Sequence, residues 1–205
     1  MKLLNLITVF AVLFLISSCG KKEETPKTEQ KKTETTQQQN TQTNTTTTSS
    51  NSQVFKISAV EESKSEKTLP NVTWEENGKK VSLEDNKGKV MLINFWATWC
   101  APCKKEMPDL SQINTDLKEK DFKMYGVNVF FRGNPTIEAV LQQIPVSYPI
   151  LDGNDQVVAA FEKAMGSKME GVPTTLIIDK KGKIVETMVG MRDKETFMAS
   201  IKKYL

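Results

Sequence analysis

The sequence predicts an α/β fold in three layers, in which a central mixed sheet is flanked by helices and preceded by a β-hairpin. Three observations carry this prediction. Strand and helix patterns alternate from Leu69 to the end of the 205-residue chain, one strand is apolar along nearly its whole length, and two late strands are joined by a turn too short for a helix. Alternating strands and helices give parallel pairs and a short turn gives an antiparallel pair, so the sheet is mixed.

The hairpin and the first central strand come at the start of this region. Asn77-Gly78, a dipeptide typical of two-residue hairpin turns, separates Val72–Trp74 from Lys80–Leu83. Val90–Trp96 is a nearly continuous apolar run, as expected of a strand that is buried on both faces. A helix is predicted from about Pro102 to Lys118, because apolar residues recur there at helical spacing.

The rest of the chain continues the alternation. We expect a strand at 122–130, a helix with Pro135 in its first turn, a strand at 148–151, a helix at 157–164, strands at 174–178 and 184–189, and a last helix up to Tyr204. Asp193 is suited to cap that last helix, and the charged residues near its two ends favour the helix dipole.

The first 18 residues have the pattern of a signal peptide. Lys2 is followed by an apolar run from Leu3 to Ile16, which is shorter than the roughly 20 residues of a membrane-spanning helix. Ile16-Ser17-Ser18-Cys19 resembles the lipobox of bacterial lipoproteins, which implies lipid attachment at Cys19. An ordinary signal peptide and an uncleaved anchor remain open. All three readings export the rest of the chain to the periplasmic side, and Gly20 slightly favours the outer over the inner membrane.

Residues 19–53 are predicted to be a disordered tether that begins at the lipidated Cys19. They are rich in Thr, Gln, Asn, Lys and Glu and almost free of apolar residues, so no core offsets the entropy of ordering them. Residues 54–68 are an extension without an assigned structure, since Phe55 and Ile57 suggest an added element and a charged run from Glu61 to Lys67 interrupts it. The folded domain is therefore expected to span 69–205.

The composition excludes several function classes. The formal net charge is +3, so no broad basic surface favours nucleic acid as a partner. The chain has no histidine, which removes the commonest metal ligand and the commonest general base. Two thiolates without a histidine fall short of the four ligands of a structural zinc site, so we expect neither a metal nor another cofactor.

The chemistry is concentrated at Cys100-Ala101-Pro102-Cys103, where a buried strand gives way to a helix. Two cysteines one helical turn apart can approach the Cα separation that a disulfide requires. Cys100 falls at the helix N-terminus, where unpaired N–H groups and the helix dipole lower a thiol pKa and favour the thiolate. A structural disulfide is the alternative reading, but closing so short a loop stabilises a fold little.

These positions predict a two-step exchange of disulfides. The Cys100 thiolate attacks a substrate disulfide and forms a mixed disulfide, which Cys103 then resolves from the shielded side. Glu106 lies one further turn along the same helix. A partly buried carboxyl group with a raised pKa is suited to accept the Cys103 proton.

The segment Asn-Phe-Trp-Ala-Thr-Trp-Cys-Ala-Pro-Cys, which starts at Asn94, resembles the active site of the thioredoxin superfamily and more closely its exported TlpA/ResA branch. The resemblance covers Leu69 to Leu205. It implies a thioredoxin-like fold and a thiol–disulfide oxidoreductase activity, generally in the reducing direction. It also implies that Cys100 is the nucleophile, Cys103 the resolving cysteine and Glu106 the acidic residue that this branch keeps. Asn94 stands where thioredoxin has a buried Asp, which leaves Glu106 as the proton acceptor.

A second motif, Gly171-Val172-Pro173-Thr174-Thr175, resembles the cis-proline loop of the same superfamily. The resemblance implies a cis peptide bond before Pro173, a Val172 backbone that pairs with a substrate strand, and a proline ring over the two sulfurs. Trp99, Ala101 and Pro102, which surround the first cysteine, are expected to contact the substrate as well.

The sequence therefore predicts a membrane-tethered, extracytoplasmic thiol–disulfide oxidoreductase that reduces disulfides in exported proteins. The substrate stays open, because apocytochrome c in cytochrome c maturation, a methionine sulfoxide reductase and exported proteins in general are all candidates. By the same resemblance, an inner-membrane thiol carrier is the electron donor. The alternative is a non-catalytic thioredoxin-fold lipoprotein that binds or scaffolds a partner.

Overall fold

The computed structural model of the chain describes residues 54–205. The predicted signal peptide, the predicted lipidation site at Cys19 and the predicted tether lie outside the described residues. In chain order the described elements are β1 (Val54–Glu61), β2 (Asn71–Glu76), β3 (Lys79–Ser82), a 3₁₀ helix (Leu83–Asn86), β4 (Val90–Trp96), α1 (Ala101–Asp116), β5 (Phe122–Asn128), α2 (Ile137–Gln143), β6 (Ile150–Asp152), α3 (Asp155–Met165), β7 (Thr174–Ile178), β8 (Ile184–Val189) and α4 (Lys194–Lys202). Across residues 54–205, no helix has both the length and the apolar character needed to cross a membrane.

All of these strands join one mixed sheet in the order β3-β2-β1-β6-β5-β4-β7-β8. The central strands β1, β6, β5 and β4 run parallel to one another. In contrast, β7 pairs antiparallel with β4, and β8 pairs antiparallel with β7. The predicted α/β fold, with a mixed sheet between layers of helices, is confirmed.

Two apolar cores lie on opposite faces of the sheet, because successive side chains of a strand point to opposite sides. In β4, Leu92 and Trp96 pack with residues of α1, α2 and α4, whereas Ile93 and Phe95 pack with residues of α3 and the hairpin. Asn94 alternates in phase with Leu92 and Trp96, so its side chain points toward α1. The strand thereby aims one polar group at the helix that carries the cysteines.

The hairpin forms where the Asn-Gly dipeptide predicts it. β2 and β3 pair antiparallel, with Glu76 opposite Lys79 beside the turn. Asn77 and Gly78 have φ angles of 52° and 73°. A two-residue turn of type I′ needs this left-handed backbone at both positions, and asparagine and glycine adopt it at the least cost.

The structure extends the sheet to β1, ahead of the domain start predicted at Leu69. The first half of β1 pairs in parallel with β6, and the second half pairs antiparallel with β2. Phe55 packs against the core, with its ring centroid 6.4 Å from that of Trp74. The charged run from Glu61 to Lys67 leads into the domain, because the carbonyl of Lys67 accepts a hydrogen bond from the first residue of β8 at 2.7 Å.

The predicted start of the second helix is wrong by two residues. α2 begins at Ile137, and the Thr136 hydroxyl caps it by accepting a hydrogen bond from the Ala139 N–H at 3.2 Å. A threonine hydroxyl satisfies an N–H group that has no acceptor within the helix, which fixes the boundary. Pro135 therefore precedes the helix and does not belong to its first turn.

Candidate active site

The β4–α1 junction places both cysteines at the start of a helix. Cys100 is the N-cap of α1 with an extended backbone, and Ala101 and Pro102 are the first two helical residues. Proline is favoured there because N–H groups of the first turn have no acceptor within the helix. Cys100 and Cys103 are joined by a disulfide, with their Cα atoms 5.3 Å apart.

A backbone donor points at the Cys100 sulfur. The Cys103 N–H donates a hydrogen bond to Cys100 Sγ at 3.2 Å. In the reduced protein this donor and the dipole of α1 favour the thiolate form of Cys100 over the thiol. Cys103 is the more shielded of the two, with 1% of its surface exposed against 3% for Cys100. Ala101 and Pro102, which lie between the two cysteines in the sequence, are exposed.

The loop before β7 lies against the cysteine pair, because β7 pairs with β4. The Val172–Pro173 peptide bond is cis, as the resemblance implies. The Val172 carbonyl oxygen lies 3.6 Å from Cys100 Sγ. Gly190, just after β8, donates from its N–H to the carbonyl of the buried Pro173 at 2.8 Å and so fixes the loop from the other side. The fold thus brings the two predicted motifs together.

Trp99 lies half-buried beside Cys100 and connects it to the loop that follows β5. The indole Nε1–H donates to the Phe130 carbonyl oxygen at 2.8 Å. The guanidinium carbon of Arg132 lies 4.0 Å from the centroid of the Trp99 ring, in cation–π contact. Trp99 is therefore held in place on two sides, next to the reactive pair.

Glu106 is buried beneath the active site, with 1% of its surface exposed. Its carboxyl group accepts hydrogen bonds from Asn94 Nδ2 at 2.8 Å and from the Arg192 N–H at 3.2 Å. Burial raises the pKa of Glu106 from its ordinary value of 4.5 to about 7, and the two hydrogen bonds and the Arg192 charge offset only part of this rise. A carboxyl group in this state exchanges a proton near neutral pH.

Comparison with known proteins gives the family. The family model described as Redoxin matches residues 64–204. A relative, the thiol-disulfide oxidoreductase ResA of Bacillus thuringiensis (strain Al Hakam), is 32% identical over 139 residues, which are 67% of this chain and 76% of the relative. The chain belongs to the redoxin family.

Solved structures of similar proteins cover about two thirds of the chain. One is a thiol:disulfide interchange protein of the thioredoxin family from Chlorobium tepidum TLS, with a TM-score of 0.61 and 27% identity, covering 69% of this chain and 98% of that chain. Another is the thioredoxin domain of a thiol-disulfide oxidoreductase from Bacteroides vulgatus, with a TM-score of 0.53 and 29% identity, covering 67% of this chain and 98% of that chain. The thioredoxin-like fold is confirmed.

The redoxin domain is a disulfide oxidoreductase. The ResA relatives and the Cys100–Cys103 pair at the start of α1 together support this activity. The prediction of an enzyme is confirmed, and the alternative of a non-catalytic binding module is set aside. Thiol–disulfide exchange is carried by two sulfurs, and the redoxin domain places both at the start of α1.

The site of the redoxin domain also contains residues that the sequence interpretation did not assign. The sequence identifies Asn94 only as a departure from thioredoxin, whereas in the structure its Nδ2 group donates both to Glu106 and to Thr175 Oγ1, the latter at 3.0 Å. A lone amide inside an apolar strand is a signal that could have found it. Arg192 and Arg132 give no such signal, because their contacts join segments that are distant in the sequence.

Proposed function

We propose that this redoxin-domain protein is a membrane-tethered, extracytoplasmic reductase of disulfides in exported proteins. The observation that carries the proposal is the order of three groups along α1. Cys100 is the N-cap, the buried Cys103 follows one turn later, and the buried Glu106 follows a further turn on. This order provides an attacking sulfur, a shielded second sulfur and a proton acceptor behind them.

In the first step, the reduced Cys100 thiolate attacks one sulfur of a substrate disulfide. A bond forms between Cys100 Sγ and that sulfur, the substrate disulfide breaks, and the other substrate sulfur leaves as a thiolate. The N–H of Cys103 stabilises the charge on Cys100 before the attack. The Val172 backbone beside Cys100, with Trp99 and the exposed Ala101 and Pro102, provides the surface on which the substrate chain lies.

In the second step, Cys103 gives its proton to the Glu106 carboxylate and attacks Cys100 Sγ. The Cys100–Cys103 disulfide forms, the mixed disulfide breaks, and the substrate sulfur leaves as a thiolate. Two electrons have then passed from the cysteine pair to the substrate. The pKa of about 7 at Glu106 suits this role, because such a group is ionised in part at neutral pH and still basic enough to accept a proton.

The amino-terminal sequence supports the proposed location. Residues 1–18 have the signal-peptide pattern, and Cys19 ends the sequence that resembles a lipobox. A lipid on Cys19 holds the chain at a bacterial membrane, with the outer membrane slightly favoured because Gly20 follows. The polar residues 20–53 then act as a linker that allows the redoxin domain to meet substrates at a distance from that surface. Disulfides form and persist in this compartment, so a reductase has substrates there.

The proposed partners follow from the chemistry. The substrates are exported proteins that carry a disulfide, with apocytochrome c and a methionine sulfoxide reductase as the specific candidates. Each turnover leaves the Cys100–Cys103 disulfide, so a thiol donor must reduce it again. An inner-membrane thiol carrier is the proposed donor, because electrons have to cross from the reducing side of that membrane.

The reduction potential of the cysteine pair tests the proposed direction. We expect a value near that of thioredoxin, about −270 mV, when the protein is equilibrated with glutathione buffers and its thiols are counted by alkylation and mass spectrometry. A pair at that potential donates electrons to disulfides of higher reduction potential, but not to structural disulfides below about −300 mV. A value near about −120 mV, typical of a strong oxidant, would overturn the assignment as a reductase.

A further inference from the structure

A groove with an exposed rim lies directly beside the cysteine pair. Trp99 and Val172 in its lining belong to the predicted site, but neither that site nor the reaction steps use Phe131, Arg132 or Glu170. We call it the Trp99 groove; it is lined by Trp99, Phe130, Phe131, Arg132 and, across from them, by residues 169–172. Its far wall ends at Val172, whose carbonyl oxygen is 3.6 Å from Cys100 Sγ. A chain that enters the active site from this side therefore passes through the groove.

Arg132 forms a cationic rim to this groove. Its guanidinium group stacks on the Trp99 ring at 4.0 Å, and the residue is exposed. Within residues 54–205, the ion pairs and hydrogen bonds leave Arg132 without a partner. Stacking uses the face of a guanidinium group and leaves the N–H donors around its edge free, in the fork that binds a carboxylate.

Phe131 adds an apolar surface next to this charge. It is 68% exposed, the highest value among the large apolar side chains in the described part of the chain. The preceding Phe130 has a φ angle of 55° and packs, half-buried, against the core, whereas Phe131 does not. The loop that carries them is held in place, because the Val129 N–H donates to the Trp96 carbonyl at 2.9 Å and Trp99 Nε1 donates to Phe130. An exposed aromatic ring on an anchored loop beside a reactive site indicates a contact surface.

We propose that the Trp99 groove selects substrates by the residues around the attacked cysteine, and that it fits an extended polypeptide segment with an acidic side chain and an apolar side chain. The acidic side chain pairs with the free edge of Arg132, and the apolar side chain packs on Phe131. Glu170 on the facing wall disfavours an acidic side chain there and so sets the orientation of the segment. This inference rests on the proposed function, because it assigns a substrate preference to the same site.

Matched peptides test the preference. Each peptide carries one cysteine in a mixed disulfide with 2-mercaptoethanol, next to a phenylalanine and to two Glu, two Gln or two Lys residues. The rate of exchange with reduced protein is measured for each, and the readout is the ratio of the Glu peptide to the Lys peptide. We expect a ratio of about fivefold in favour of the Glu peptide at low salt, falling as salt rises.

Variants test whether Arg132 causes the preference for the Glu peptide over the Lys peptide. Arg132→Glu is expected to reverse it, Arg132→Lys to retain part of it, and Phe131→Ser to lower the rates of all three peptides while keeping their order. Lys118→Glu is the matched control, since it makes the same change of charge at an exposed site beyond the end of α1 and should leave the ratio unchanged. Because the readout is a ratio within one variant, a change in the reactivity of Cys100 cancels.

Two further measurements separate the inference from the proposed function. The neutral bis(2-hydroxyethyl) disulfide reports exchange by the wild-type pair without any peptide, so its failure to react would count against the proposed function alone. Peptides with serine in place of cysteine, followed by fluorescence anisotropy, report docking without exchange. Equal affinities and equal rates for the Glu and Lys peptides, or a ratio that Arg132→Glu leaves as it was, would overturn the inference.

Discussion

A Cys103→Ser variant is expected to accumulate covalent complexes with its substrates, whereas a Cys100→Ser variant accumulates none. Without the second sulfur, the mixed disulfide at Cys100 is released only by external thiols. An intramolecular group acts at an effective concentration far above that of millimolar thiols, so release should slow on the order of a thousandfold or more. Non-reducing electrophoresis and mass spectrometry of the complexes measure this directly and identify the substrates.

The two serine variants control for each other, because they remove one sulfur each from positions one helical turn apart. The double variant should form no complexes at all. Complexes that form through Cys103 in the Cys100→Ser protein, at the frequency seen for Cys103→Ser, would contradict the assignment of Cys100 as the attacking group.

Glu106→Gln is expected to slow the second step by about tenfold to a hundredfold and to leave the first attack nearly unchanged. In the proposed second step the Glu106 carboxylate accepts the Cys103 proton, which an amide cannot do. The rate of resolution in the wild-type protein should rise as pH increases through about 7, where Glu106 ionises, and the variant should lack that inflection. Stopped-flow measurements on a preformed mixed disulfide between pH 5 and 9 check both points.

Glu119→Gln provides the matched control for this variant. It makes the same chemical change at an exposed position beyond the end of α1 and should leave the pH profile of resolution intact. If resolution by Glu106→Gln kept the wild-type rate and the same inflection, Glu106 would have no part in the proton transfer.

The pH dependence of the free energy of unfolding of the oxidised protein should report the protonation of Glu106. Because burial raises the pKa of Glu106 to about 7, the unfolded chain releases this proton from about pH 4.5 upward while the folded chain still keeps it. The folded state binds more protons in that window, so this contribution to the free energy of unfolding falls as pH rises from about 4.5 to 7. This decrease in the free energy of unfolding is on the order of 3 kcal/mol. Urea titrations at several pH values measure it, and the Glu106→Gln variant should not show it.

The parts of the fold that were predicted from the sequence are those whose signals are local. Asn77-Gly78 determines its hairpin through the backbone of two residues, and the apolar run Val90–Trp96 identifies a strand buried on both faces. β1 was not assigned because its parallel partner, β6, begins only at Ile150. Its own residues are only half-buried and are followed by charges, so the short window gives no clear period.

The same distinction between local and long-range signals applies to the residues of the candidate site. Cys100, Cys103 and Glu106 share one helix, so their spacing alone orders them. The cation–π contact of Arg132 with Trp99 depends on the packing of two loops that follow different strands. No periodicity within either loop encodes that contact, and it becomes visible only once β4 and β5 are placed side by side.

The most direct test of this account is the rate at which each cysteine of the reduced protein is alkylated by iodoacetamide between pH 5 and 9, followed by mass spectrometry of the two peptides. The account predicts that Cys100 reacts at least about tenfold faster than Cys103 at mildly acidic pH, because the N-terminus of α1 holds its sulfur as a thiolate. Equal and slow reaction of the two sulfurs across this range would contradict it.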